Sequence, residues 1–139
     1  MRAQARAWCA VLPLACVSAA AASEVAAPLA EVDRRIDQIE KAIGEAYFQT
    51  ALALTRSAQE LLDPLASDPA QVAPRRARIE VLAATAEVAL GHRAQAREHL
   101  VRALQADPRL SLDERDTSPR LLALLPEARR RAASAEAAR

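Results

Sequence analysis

Apolar residues return every three or four positions along most of the chain and never alternate over a useful length, a helical period with no strand pattern. In residues 29–43 the positions are Leu29, Val32, Ile36, Ile39 and Ile43. Two heptads are short for a coiled coil, so this stripe predicts a helix packed on one neighbour. Residues 47–62 place Ala51, Leu54, Ala58, Leu61 and Leu62 toward a core. Tyr47 and Phe48 are adjacent and cannot share one narrow stripe, so one is buried and the other lies at an edge or contact surface. Ile79, Leu82, Ala83, Ala86 and Leu90 form the next face, and Ala96, Leu100, Ala103 and Leu104 the one after it. Gly91-His92 between them leaves room only for an antiparallel return, which makes residues 77–108 an αα-hairpin. Asp107-Pro108 stops its second helix.

The segments between these runs read differently. Pro64, Pro69 and Pro74, with Asp63, Ser67 and Asp68, predict a loop with at most one short turn over residues 63–76. Arg75, Arg76 and Arg78 then sit where a helix would begin, against its dipole. They are read as a solvated face in preference to a phosphate patch, since no aromatic platform accompanies them. Residues 110–117 are polar and turn-like, with Leu110 and Leu112 folding back on the hairpin. Ser118-Pro119 reads as N-cap and first helical residue. Leu121, Leu122, Leu125 and Ala128 form the apolar face of a last helix, which Pro126 kinks or divides. Arg129, Arg130 and Arg131 suit a helix C-terminal end, leaving residues 132–139 as a tail.

An all-α fold follows, over residues 29–131. The chain has 139 residues, room for one domain at most. Phe, Tyr and Trp occur once each, so an alanine-rich core must be made by close helix approach.

Residues 77–108 resemble a tetratricopeptide repeat. Ala84 occupies the small position midway along the first helix, Gly91 marks the turn, Ala96 and Ala103 are the recurring small residues, Leu100 fills the bulky slot and Pro108 closes the unit. The length is close to that repeat's period of about 34 residues. Glu80 and Glu87 stand where aromatic residues are usual. Residues 44–62 look like a degenerate copy, in which Ala51 and Ala58 keep the spacing of seven. Gly44 is then either the turn of an earlier hairpin or a weak point in one long helix, and its distance to the alanine differs from that in the central unit. The ending is similar to tails attached to such repeats in bacterial envelope proteins. The resemblance implies a short array of hairpins closed by a C-terminal capping helix, with the first helix of each unit lining a concave face. By offset from Gly91 the residues on that face would be Arg78, Val81, Thr85 and Val88. This apolar strip with a basic end would take an apolar partner segment carrying an acid near Arg78.

Residues 1–22 have the composition of a secretory signal peptide: Arg2 and Arg6, then a short apolar run over residues 7–17, then Ala20-Ala21-Ala22 before Ser23. The apolar run, interrupted by Pro13, is too short to span about 30 Å of hydrocarbon. Residues 23–28 follow as a linker. Cys16 offers an alternative, a lipoprotein box in which Pro13 takes the place usual for leucine; lipidation there would tether the protein to a membrane. The expected location is periplasmic or secreted, or membrane-tethered through Cys16. Neither route leaves a disulfide in the folded part. Loss of residues 1–22 takes both arginines away, leaving 17 basic and 18 acidic residues, a balance that argues against nucleic acid as a partner.

Catalytic chemistry finds few candidates. There is no H-E-x-x-H, no G-x-S-x-G and no phosphate-cradling glycine loop. His92 and His99 could share a metal with Glu87 or Glu98, but a structural zinc needs about four ligands, so surface histidines are the preferred reading and no metal or cofactor is expected. Glu80 and Glu87 alone among the acids fall near the packed face, and each is expected to turn to its edge. The expected function is therefore non-catalytic binding of a protein or peptide by a monomer or weak homodimer. The alternative is a small structural or chaperone-like protein self-associating through residues 29–43.

Overall fold

The computed structural model describes the backbone of residues 18–138 and the side chains of residues 26–138. The apolar run of residues 7–17, with Cys16, lies outside that range. The elements are α1 (Ser18–Gly44), α2 (Phe48–Leu62), a 3-10 turn (Asp63–Leu65), α3 (Pro69–Ala89), α4 (Arg93–Ala106), α5 (Pro119–Leu122) and α6 (Leu125–Ala137), with no strand among the described residues. The fold is all-α, and no helix among the described residues is long and apolar enough to cross a membrane.

Three boundaries differ from expectation. Residues 23–28 are not a linker but part of α1. Small residues are not thereby flexible: alanine has the highest helix propensity, and Pro28 costs the helix one hydrogen bond on its exposed side. The expected loop over residues 63–76 shrinks, because Pro69 stands at the first position of α3 with Asp68 before it. There the missing N–H has no intrahelical partner to lose, and proline starts a helix instead of breaking one. Pro74 lies inside α3 at an exposed position, while Val72 and Ala77 on either side of it are buried. The tail from residue 132 is helical as far as Ala137, so Arg129, Arg130 and Arg131 lie inside α6 and not at its end. Ser118 caps α5 as expected, its Oγ accepting from the Arg120 N–H at 3.3 Å. Pro126 divides the last helix, falling in the first turn of α6.

Two turns repeat one another. At the end of α3, Gly91 adopts φ +84°, its N–H donates to the Val88 carbonyl at 3.1 Å and the His92 N–H donates to the Glu87 carbonyl at 2.8 Å. This is a Schellman closure, which requires one left-handed residue. At the end of α1 the left-handed residue is Ala46, at φ +61°. Its N–H donates to Ile43 at 3.0 Å, and the Tyr47 N–H donates to Ala42 at 2.8 Å. The next residues match as well: Tyr47 has φ −86° and ψ 61°, His92 φ −85° and ψ 64°. Gly44 is thus the last residue of α1, and Ala46 is the counterpart of Gly91. The two hairpins are related by the 45 positions that separate Ala46 from Gly91. With that offset the alanines fall into register: Ala51 on Ala96 and Ala58 on Ala103, all four fully buried. The offset exceeds the roughly 34 residues of a tetratricopeptide repeat.

The core has two lobes with α3 between them. One combines Leu29, Val32, Ile36 and Ile39 of α1 with Leu52, Ala58 and Leu62 of α2 and Ile79, Ala83 and Ala86 of α3. The other combines Ala84 and Val88 of α3 with Ala96, Leu100 and Leu104 of α4 and Leu121, Leu124, Leu125 and Ala128 of the C-terminal helices. Leu110 and Leu112 fold back on this second lobe, as expected. The stripe over residues 29–43 is spent inside the chain: Leu29, Val32, Ile36 and Ile39 are 4% exposed or less. Self-association through it would have to open the first hairpin. Phe48 is the half-buried aromatic and Tyr47 the exposed one.

Candidate interaction surface

Helix α3 touches α1 on one side and α5 on another, and the four groove residues lie along it. Arg78 is not a free basic end: its Nε donates to the Glu40 carboxylate of α1 at 3.0 Å. One turn earlier, Arg75 forms a bidentate pair with Asp33, both bonds 2.8 Å. These bonds from Arg75 hold the Asp33 carboxyl below its ordinary value; partial burial opposes them, and the charges of Arg75 and Arg78 assist. The Arg75 guanidinium is shifted up for the reciprocal reason. Arg76 donates to Asp63 at 3.0 Å. The three arginines are therefore not a phosphate patch at a helix N-terminus. They are two to three turns inside α3 and clamp it to α1 and the 3-10 turn.

Val81 and Thr85 are half-buried, and the Thr85 hydroxyl donates to the Val81 carbonyl at 2.9 Å. Val88 is 6% exposed and belongs to the second core lobe, among Leu121, Leu124 and Leu125. It is thus a core residue, covered by α5, and not an open groove position. The 45-residue offset explains the graded exposure. Arg78, Val81, Thr85 and Val88 correspond to Asp33, Ile36, Glu40 and Ile43 of α1. Asp33 and Glu40 are the residues that α3 engages, and Ile36 between them is 1% exposed. The matching face of α3 meets α1 at Arg78 and the short α5 near Val88.

Two polar clusters depart from the sequence expectations. Glu80 does not turn to the edge: it is 3% exposed, and its carboxylate accepts from Gln59 Nε2 at 2.7 Å and Arg102 Nε at 3.1 Å, with His99 Nδ1 at 2.7 Å. The contact to a carboxylate places the ring proton on Nδ1. Arg102 Nη2, 2.8 Å from that nitrogen, then finds no acceptor there. Glu80 so joins α2, α3 and α4, and a buried charge with three donors is stable where an unpaired one would not be. The signal was present, since Glu80 lies between Ile79 and Ala83 on a buried face, but its donors come from two other helices. His92 and His99 share no ligand set: His92 Nδ1 faces Glu87 at 2.7 Å. No group of three metal-ligating side chains occurs among the described residues.

A concavity adjoins Val88. Val88, Gly91, Arg93, Pro119, Arg120 and Ala123 line it, where the α3–α4 turn meets α5. Neither Arg93 nor Arg120 has a carboxylate within ion-pair distance among the described residues. Sequence reasoning missed both residues. Each adjoins a helix start it had recognised, but their convergence depends on where α5 docks. No protein-family model, curated protein sequence or solved structure matches the chain.

Proposed function

We propose that the chain is a non-catalytic helical-hairpin module of the bacterial cell envelope that holds a segment of another protein. The observation that carries this reading is the incomplete stacking of α3. The face of α3 that corresponds to the one it covers on α1 is met by α1 at Arg78 and by short α5 near Val88, which leaves Val81 and Thr85 between them half-exposed. A helix or extended segment of a partner would complete the stack there, with apolar contact supplying most of the affinity. Export rests on the composition of residues 1–22.

The test is site-specific photo-crosslinking in cells. A photoreactive residue at Val81 should give one discrete product in the envelope fraction, and the same residue at exposed Gln49 on α2 should not. The intact mass of the chain in that product reports whether residues 1–22 have been removed. Equal products from the two positions, or none from Val81, would refute the reading.

A further inference from the structure

The partner surface has a basic end, and it lies opposite to where the sequence places it. Arg78 is taken by Glu40, while Arg93 and Arg120, in no ion pair among the described residues, both line the concavity beside Val88. The one acid at that turn, Glu87, is engaged by His92. The rest of the lining is Val88, Gly91, Pro119 and Ala123, which offer apolar contact and no competing carboxylate. We infer that this cleft binds an acidic peptide segment of the partner, an apolar side chain seated against Val88 and Ala123 with neighbouring carboxylates paired to Arg93 and Arg120. The inference rests on the reading of the chain as a partner-binding module and gives that partner its chemistry and direction. Charge complementarity decides the occupant, since a basic or neutral segment would leave Arg93 and Arg120 without counter-charge. Guanidiniums suit the role because their planar forks pair two-to-two with carboxylates.

The experiment uses the full chain, 15N-labelled, and a fluorescein-labelled peptide with two adjacent aspartates between leucines. Its counterpart carries asparagines in place of the aspartates. The acidic peptide should shift the amide resonances of Val88, Gly91, Arg93 and Ala123, and binding should weaken as salt rises. The asparagine peptide should bind much more weakly. Arg93→Glu with Arg120→Glu should weaken the acidic peptide by roughly tenfold or more, as two partly exposed charge pairs are lost and reversed. Arg129→Glu with Arg130→Glu makes the same change of net charge on α6 and should leave binding unchanged. Circular dichroism checks that each variant is folded. Equal binding of the two peptides, equal losses in the two double variants, or no binding of the acidic peptide would overturn the cleft. The crosslink from Val81 separates the two readings: if it survives Arg93→Glu with Arg120→Glu, the cleft fails and the module stands.

Discussion

Ala96 lies five residues beyond the left-handed Gly91, where α4 has just turned back against α3, and it is fully buried in the core lobe that also holds Ala84. Two methyl-sized side chains at this crossing let the backbones approach closely, and the second core lobe closes around them with Val88, Leu100 and Leu121. Leucine at position 96 adds three carbon atoms where nothing is exposed. They must either push α4 from α3 or take strained rotamers, at a cost of about 1–3 kcal/mol. For a domain of this size that lowers the melting temperature by roughly 4–12 °C. Ala94 is exposed on the same helix, so leucine there should change stability by no more than about 0.5 kcal/mol. The 45-residue correspondence adds a third variant. Ala51 is also fully buried five residues after a left-handed residue, and Ala51→Leu should cost as much as Ala96→Leu. The assay is urea unfolding followed by circular dichroism, with the slope required to stay constant so that a midpoint shift reports stability alone. Equal midpoints for Ala96→Leu and Ala94→Leu would refute the packing argument. A tolerated Ala51→Leu beside a damaging Ala96→Leu would refute the correspondence.

The two turns predict opposite responses to opposite substitutions. Ala46→Gly should stabilise by about 0.5–1 kcal/mol, since the left-handed conformation strains alanine by more than glycine's extra unfolded-state entropy costs. Gly91→Ala should destabilise by about 1 kcal/mol in thermal melts, through φ alone, because a Cβ there meets nothing within 4 Å. Glu80→Ala leaves Gln59, His99 and Arg102 without their shared acceptor and should cost about 2–3 kcal/mol in urea unfolding; Glu80→Gln, whose amide oxygen still accepts, should cost less. Asp33 has its folded pKa lowered, so its contribution is fully present above the ordinary value of 3.8 and is lost as pH falls through the lower folded value. Its side chain is half-exposed and solvent screens the pair, so the stability difference between the parent and Asp33→Asn should be small at pH 6 and should shrink further below pH 4.

The helical faces were legible because burial follows the period of three and four whatever the neighbour is. Ile79, Ala83, Ala86, Ala96, Leu100 and Ala103 are all buried as the spacing requires. The turn at Gly91 was legible too, since glycine announces a left-handed residue. The first turn was misplaced because alanine occupies that conformation at Ala46, while a glycine two residues earlier drew attention. Prolines misled in the same way: at the first position of a helix they look like loop residues, and only the buried Val72 and Ala77 behind Pro69 show that α3 had begun.

What a sequence with this periodicity does not carry is which helix covers which face. Arg78, Val81, Thr85 and Val88 do lie along one side of α3, as their spacing demands. Their availability, however, is set by neighbours remote in sequence: Glu40 lies 38 positions before Arg78, and Leu121 follows Val88 by 33. The charges show the same dependence. Arg75 and Arg78 are bound to α1 and Arg97 and Arg131 join α4 to α6, so several charges that look solvated in sequence serve as clamps between helices. Arg93 and Arg120, at the starts of α4 and α5, are not used in this way. The basic run at Arg75, Arg76 and Arg78 consists of arginines the fold has already paired. Pairing the carboxylates first leaves Arg93 and Arg120 among the unpaired cations of the described residues, and the position of α5 then brings those two to one cleft.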